Sequence, residues 1–236
     1  MVVPSDWYVG LGPLWLTLEL ASVTTLLLII VGTPVAFWLA FTSSRIKPIA
    51  EVFVAMPLVL PPTVLGFYLL ILFKPNGVIG GLWYDLTGQS LLFSFSGLVV
   101  ASVIYSFPFV VQPLQNSFAA VGRSPLEKAS TMGLGRVSRL FKVLIPQAKR
   151  GYITATVLGF THTVGEFGVV LMVGGNLPRE TRVVSIAIYD LVETSNFAKA
   201  HALSALVVML AFVLLLIVFV VGRGKNVERA EFQQLP

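Results

Sequence analysis

The sequence predicts an all-α protein, a polytopic membrane helix bundle of about five transmembrane helices, and three observations carry that prediction. Hydrophobic residues make up 56% of the 236 residues and charged residues only 11%, against roughly 25% charged in an average soluble domain. Mean hydropathy is +0.88. The apolar residues gather in blocks of about 20 or more, the length a helix needs to cross a hydrocarbon core roughly 30 Å thick. A water-soluble globule is excluded. With no Pro/Ser linker, low-complexity tract or fixed-period repeat, residues 1–236 are expected to form one membrane domain.

Taken in order, spans are expected at about 13–41, 49–73, 96–120, 152–173 and 201–222. The first begins after Met1-Val-Val-Pro-Ser-Asp6, which has no charged n-region, so it reads as a retained helix and not as a cleaved signal. The second contains Pro57, Pro61 and Pro62, and the third Pro108 and Pro113. Each proline removes a helical donor, and freed carbonyls are tolerated where a helix is buried or lines a cavity. The fourth carries Glu166, and a carboxylate inside a span normally faces the bundle interior or a watery cavity. Glu166 is therefore a functional candidate, with a structural carboxylate held by hydroxyls or amides as the alternative.

The connections sort by charge. The 42–48 turn carries Arg45 and Lys47, and the 121–151 segment carries Arg123, Lys128, Arg136, Arg139, Lys142, Lys149 and Arg150. Arg223, Lys225 and Arg229 follow the last span, so twelve of the sixteen cations lie on one side. The positive-inside rule puts that side in the cytoplasm, the N-terminus outside and the C-terminus inside. On the outer side, 74–95 reads as an interfacial loop with Trp83 and Tyr84 at headgroup level, and 183–193 as a re-entrant or surface helix packed on the bundle.

Several chemistries are disfavoured by composition. The chain has no cysteine and only two histidines, His162 and His201, so thiolate and histidine-rich metal sites are not expected. It lacks the spacing of a phosphate-binding loop, so ATP hydrolysis would need another subunit. His162 lies four residues before Glu166, a spacing at which the two could form a hydrogen-bonded pair, but no activated serine or third partner accompanies them, which disfavours an enzyme. A proton-coupled secondary transporter using that pair stays open as an alternative. No Lys or Arg lies in any span, and Glu19, Glu51 and Glu166 have the wrong sign to hold an anion tightly.

The 121–151 segment carries the sharpest pattern. Ser124-Pro125-Leu126-Glu127 has the form of a capping box, with Ser124 as N-cap and Glu127 three residues later. Gly133-Leu134-Gly135 should interrupt that helix, and Val137, Leu140 and Phe141 suit a second short helix ending before Pro146. Gly133 also suits a plain C-terminal cap.

The spacing Glu127-Lys128-Ala129, three residues, Gly133, nine residues, Val143-Leu144-Ile145-Pro146 resembles the E-A-A-x3-G-x9-I-x-L-P loop of bacterial ABC-importer permeases, departing at Lys128 and conservatively at Val143 and Ile145. By that resemblance Glu127, Ala129, Gly133 and Pro146 belong to a coupling helix that docks on a separate ATP-hydrolysing subunit. Gly165-Glu166-Phe167-Gly168, Gly175-Asn176-Leu177-Pro178, Leu58-Val59-Leu60-Pro61-Pro62 and Ile186-Ala187-Ile188-Tyr189 look like segments of oxyanion permeases, molybdate most closely, with sulfate and tungstate permeases as near relatives.

The resemblance implies the ABC type I importer permease fold, no cofactor in this chain, and ATP with Mg on the partner. It also implies a homodimer, two ATPase subunits, an external solute-binding protein, and a bacterial or archaeal inner-membrane location. Pro61, Pro62, Thr63, Gly165, Glu166, Phe167 and Gly168 become candidates for the pathway or its gate.

Overall fold

The computed structural model describes residues 11–223, apart from a few side chains. Among these residues every regular element is helical. Helix α1 (Gly12–Phe41) is followed by α2 (Lys47–Val59) and α3 (Pro62–Phe73), then by the short α4 (Val78–Thr87) and the long α5 (Phe95–Val121). A basic segment follows, with α6 (Ser124–Thr131), α7 (Arg136–Arg139), a π-helical turn (Leu140–Leu144) and α8 (Ile145–Gln147). Then come α9 (Lys149–Val164), α10 (Gly168–Gly174), α11 (Val184–Glu193) and α12 (Phe197–Arg223).

Three of these helices are long and apolar enough to cross a membrane alone, α1, α5 and α12. Two bent pairs, α2 with α3 at 111° and α9 with α10 at 60°, bring the number to five if each pair is one span. At 1.5 Å per residue α2 and α3 are about 20 and 18 Å long, so neither crosses a core of roughly 30 Å by itself. Where one span was expected over 49–73, the chain forms two short helices with a sharp turn between them. Leu60 leaves the helix in an extended conformation, and Pro61 and Pro62 restart the chain in a new direction. Pro108 and Pro113 behave differently, because α5 runs through both of them.

The core is the seam between α1, α5 and α9. At the end of the bundle carrying the basic segment, Leu28, Leu39, Val110, Leu114, Phe118 and Leu144 are fully buried together. At the opposite end Leu20, Leu98, Val170 and Ile186 close a second cluster, and Leu69, Phe73, Val169 and Val173 join α3 to α10 in a third. Thr17 ties α11 into this packing by accepting the amide of Val184 at 2.7 Å. The 183–193 prediction of a helix packed on the bundle agrees with α11. The 74–95 segment, expected as a loop, instead contains α4, capped at Gly88 in the left-handed region.

Two local expectations for the basic segment are corrected. Ser124 is not the N-cap and the capping box does not form. Gly122, at φ +75°, makes the turn, and Arg123 already has helical dihedrals, so the helix starts one residue early and Glu127 donates its amide to the Arg123 carbonyl. The second short helix also does not end before Pro146. Ile145 donates to the Leu140 carbonyl in π register, and Pro146 then sits in the first turn of α8, where a missing N–H costs nothing.

Candidate functional site

The breaks in the two bent spans lie against one another. A Cβ built on Gly168 would stand 2.8 Å from Pro62 Cβ, and one on Gly66 would stand 2.8 Å from Met172 Cβ. Small residues at these points let α3 and α10 approach more closely than side chains allow. Around this crossing lies a cavity of about 520 Å³, lined by Pro62, Thr63, Gly165, Glu166, Phe167 and Gly168 among others. Six of the seven pathway candidates therefore converge on one cavity. Pro61, the seventh, is exposed at the N-cap of α3.

Glu166 sits in the unwound stretch between α9 and α10, only 3% exposed. Its backbone carbonyl accepts the Ser185 hydroxyl at 2.6 Å, which ties the break to α11. The Ser102 hydroxyl is the protein donor that faces the carboxylate, whose two oxygens are otherwise buried without a protein partner. A buried carboxyl lacking hydrogen bonds is costly. One hydroxyl leaves most of the carboxylate's acceptor capacity unused among the described residues.

The His162–Glu166 pair that the spacing allows is corrected too. Spacing of four residues brings side chains together only on a continuous helix, and α9 ends at Val164. His162 Nδ1 instead lies 2.8 Å from Ser106 Oγ, which is 3.1 Å from Thr163 Oγ1, and the imidazole stacks on Phe109 with ring centroids 3.8 Å apart.

Tyr105, Thr161 and His162 complete the cavity wall opposite Thr63. Tyr105 and Thr161 were not anticipated, since a lone aromatic or hydroxyl in an apolar span carries little signal. A 3-4-3-4 spacing of Ser102, Tyr105, Phe109, Gln112 and Asn116 was available to find Tyr105, and no comparable pattern pointed to Thr161.

The coupling candidates occupy a separate place at the basic end. Glu127 is exposed on α6, Ala129 is buried beneath it, and Pro146 is exposed. Gly133, at φ +84°, closes α6 with a Schellman cap, in which Leu134 donates to the Ala129 carbonyl at 3.1 Å and Gly133 to the Ser130 carbonyl at 3.0 Å.

This element is fastened to the bundle. Arg123 donates through Nη2 to the Phe41 carbonyl at the end of α1, and Leu126 and Leu140 pack on the cluster containing Leu144 and Ala148. α6 thus touches the end of α1 and, through the π turn and α8, connects to α9, whose far end is the Glu166 break.

On the other end of the molecule Arg182 is buried, with Nε donating to Asn176 Oδ1 and Nη1 3.9 Å from Asp190. Asn176 of the Gly-Asn-x-Pro segment is thus a structural acceptor for a buried guanidinium. That pairing was not read from the sequence.

The sequence profile of the family described as "Binding-protein-dependent transport system inner membrane component" matches residues 32–227. The chain is 55% identical over 215 residues to the "Molybdenum transport system permease protein ModB" of Azotobacter vinelandii, covering 91% of this chain and 95% of that one. It is 33% identical to the protein of the same description from Escherichia coli K12, over 86% of this chain and 89% of the relative. A "Probable sulfate transport system permease protein" from Helicosporidium is 29% identical, over 87% of this chain and 76% of the relative. Among solved structures, the inward-facing MetNI methionine ABC transporter superposes with a TM-score of 0.69 at 19% identity, over 94% of this chain and 99% of that one. A bacterial alginate ABC importer gives 0.68 at 16% identity, over 94% and 82%.

Proposed function

Because the chain belongs to the family of inner-membrane components of binding-protein-dependent transport systems, we propose that it is the permease subunit of an ATP-driven importer for molybdate. The observation that carries this reading is the 55% identity to a molybdenum permease along nearly the full length of both chains. It is supported by the convergence of the family-like Pro62–Thr63 and Gly165–Gly168 segments on one cavity. Sulfate is the second cargo, favoured by the sulfate permease among the relatives. Proton-coupled transport loses its main support, because the His162–Glu166 relay does not form.

In this reading two copies of the chain enclose the pathway. Two ATPase subunits carrying ATP and Mg dock on α6 around Glu127, Ala129 and Gly133, and an external binding protein delivers the ion to a low-affinity opening. The basic end faces the cytoplasm, with the N-terminus outside and the C-terminus inside. Closure of the ATPases pushes α6, the Arg123 contact and the π turn pass the displacement to α1 and α9, and the break at Glu166 changes the cavity's access. This chain contributes positioning and passage, and no reaction of its own.

The experiment is uptake of labelled molybdate and sulfate at nanomolar concentration by cells with and without the chain, with a proton ionophore at constant ATP as control. Loss of molybdate uptake only, insensitive to the ionophore, is the expected result. Loss of sulfate uptake keeps the machine and changes the cargo. Survival of both signals, or their collapse with the proton gradient, overturns the proposal.

A further inference from the structure

A second cavity lies on the basic-end side of the Glu166 cavity, about 270 Å³, lined by Glu51, Val54 and Ala55 of α2 and by Gln112, Gln115 and Asn116 of α5. Three carboxamides on one helical face, within a membrane-spanning helix, are hard to explain as lipid contact. Polar side chains at membrane depth face a packed partner or water. Gln115 spends one donor on Glu51 Oε1 at 2.8 Å, and Lys47 stands 3.8 Å from the same oxygen. The carboxylate is thus held and its charge offset. Gln112 and Asn116 have no hydrogen bond among the described residues, although each carries two N–H donors.

Both cavities draw lining residues from α5, with none in common. Tyr105 lines the first and Gln112 the second, about 10 Å apart along α5. Phe109 lies between them on the same face, one turn from each, and lines neither. Its ring is stacked flat on His162. Residue 113 is proline, so the Phe109 carbonyl lacks its usual helical donor, and α5 is loosened at this turn.

We infer that this face of α5 is the ion path through the basic-end half of the membrane, with Phe109 as the apolar barrier between the cavities and Gln112 and Asn116 as the donors that receive a tetrahedral oxyanion beyond it. The inference deepens the transport reading, on which it rests for the chemistry of the cargo. Neutral carboxamides beside an offset carboxylate hold an anion by hydrogen bonds alone, which suits release. Stacking on His162 couples the barrier to α9, whose end is the Glu166 break.

The natural chain has no cysteine, so single cysteines report access to water without background. Gln112→Cys, Asn116→Cys, Thr63→Cys and, on the exposed face of α12, Val208→Cys are made in the full chain with its partner ATPase. They are labelled in right-side-out and inverted vesicles with an impermeant methanethiosulfonate bearing a sulfonate, itself a tetrahedral oxyanion.

From the basic-end side, Gln112→Cys and Asn116→Cys should label on the order of tenfold faster than Val208→Cys, since one face is wet and the other is in lipid. Thr63→Cys should be slow from that side and rise on the order of tenfold when combined with Phe109→Ala, as an apolar constriction excludes water and ions. Phe109→Leu, which keeps an apolar side chain but loses the flat stack, should raise it less, and it serves where the alanine variant is not assembled.

Labelling of Asn116→Cys no faster than Val208→Cys, or a Thr63→Cys rate unmoved by either Phe109 variant, overturns the path. Molybdate uptake by the unsubstituted complex is measured in parallel. Its absence overturns the cargo reading, while the labelling pattern alone decides the path.

Discussion

Gly168 and Pro62 touch across the two broken spans: a Cβ on Gly168 would stand 2.8 Å from Pro62 Cβ, closer than side-chain carbons approach. A proline ring fixed at the start of α3 cannot swing aside as the tip of a flexible side chain does. Gly168→Ala should therefore destabilise the protein by about 1–3 kcal/mol, the usual cost of overpacking. Pro62→Gly in the same chain removes the opposing carbon and should return part of the loss. Thermal midpoints of the purified single and double variants check this, and equal midpoints for Gly168→Ala with and without Pro62→Gly would refute the contact as its source.

Glu166 leads to the opposite expectation for stability. Its carboxylate faces one protein donor, the Ser102 hydroxyl, which the amide oxygen of a glutamine also accepts, and an under-satisfied buried carboxyl is a cost. Glu166→Gln should leave the amount of protein in the membrane unchanged or raised, while uptake per molecule falls by about tenfold or more, roughly 1.4 kcal/mol in the barrier. Quantitative immunoblotting with initial-rate uptake measures both. Reduced abundance with normal uptake per molecule would return Glu166 to a structural role.

These two sites show how far the sequence could be read. Five apolar blocks placed the spans to within a few residues, because a hydrocarbon core demands a fixed length of helix whatever the packing. The prolines at 57, 61 and 62 announced a disturbance, yet nothing local specified a 111° turn at Pro61–Pro62 and an unbroken helix through Pro108 and Pro113. The same limit explains the His162 misreading. Spacing of four residues pairs side chains only if the helix continues, and here the chain unwinds at Gly165–Phe167 and hands His162 to Ser106, fifty-six residues earlier. Tyr105 was missed because part of the cavity wall comes from another span, and a single sequence does not state which spans meet; Thr161 lies in the same span as Glu166 and was missed because a lone hydroxyl there carries little signal.

Gly133 is held at φ +84° with open space around it, so a side chain there is refused by the backbone and not by a neighbour. A left-handed conformation costs an ordinary residue about 1–2 kcal/mol, and asparagine adopts it more readily. Gly133→Asn should keep most of the uptake, Gly133→Ala less, and Gly133→Val least. Glu127→Arg, an exposed change with little effect on stability, should abolish uptake at normal membrane abundance. Equal uptake across the Gly133 series would remove the cap from the coupling mechanism, and normal uptake by Glu127→Arg would remove the docking role.

Arg182 is the buried cation of the molecule's other end, and its geometry depends on Asn176. The side chain of Asn176 accepts from Nε, its backbone carbonyl lies 3.5 Å from Nη2, and Asp190 flanks Nη1 at 3.9 Å. Asn176→Ala removes the Nε acceptor while the guanidinium stays buried, which should cost about 1–3 kcal/mol. Arg182→Lys replaces a planar fork by a point charge that cannot reach the same partners together, so it should cost a comparable amount although the charge is kept. Because both changes remove the same contact, the double variant should lose little more than either single one. Additive losses in the thermal midpoint would show that Asn176 and Arg182 stabilise the outer turn independently.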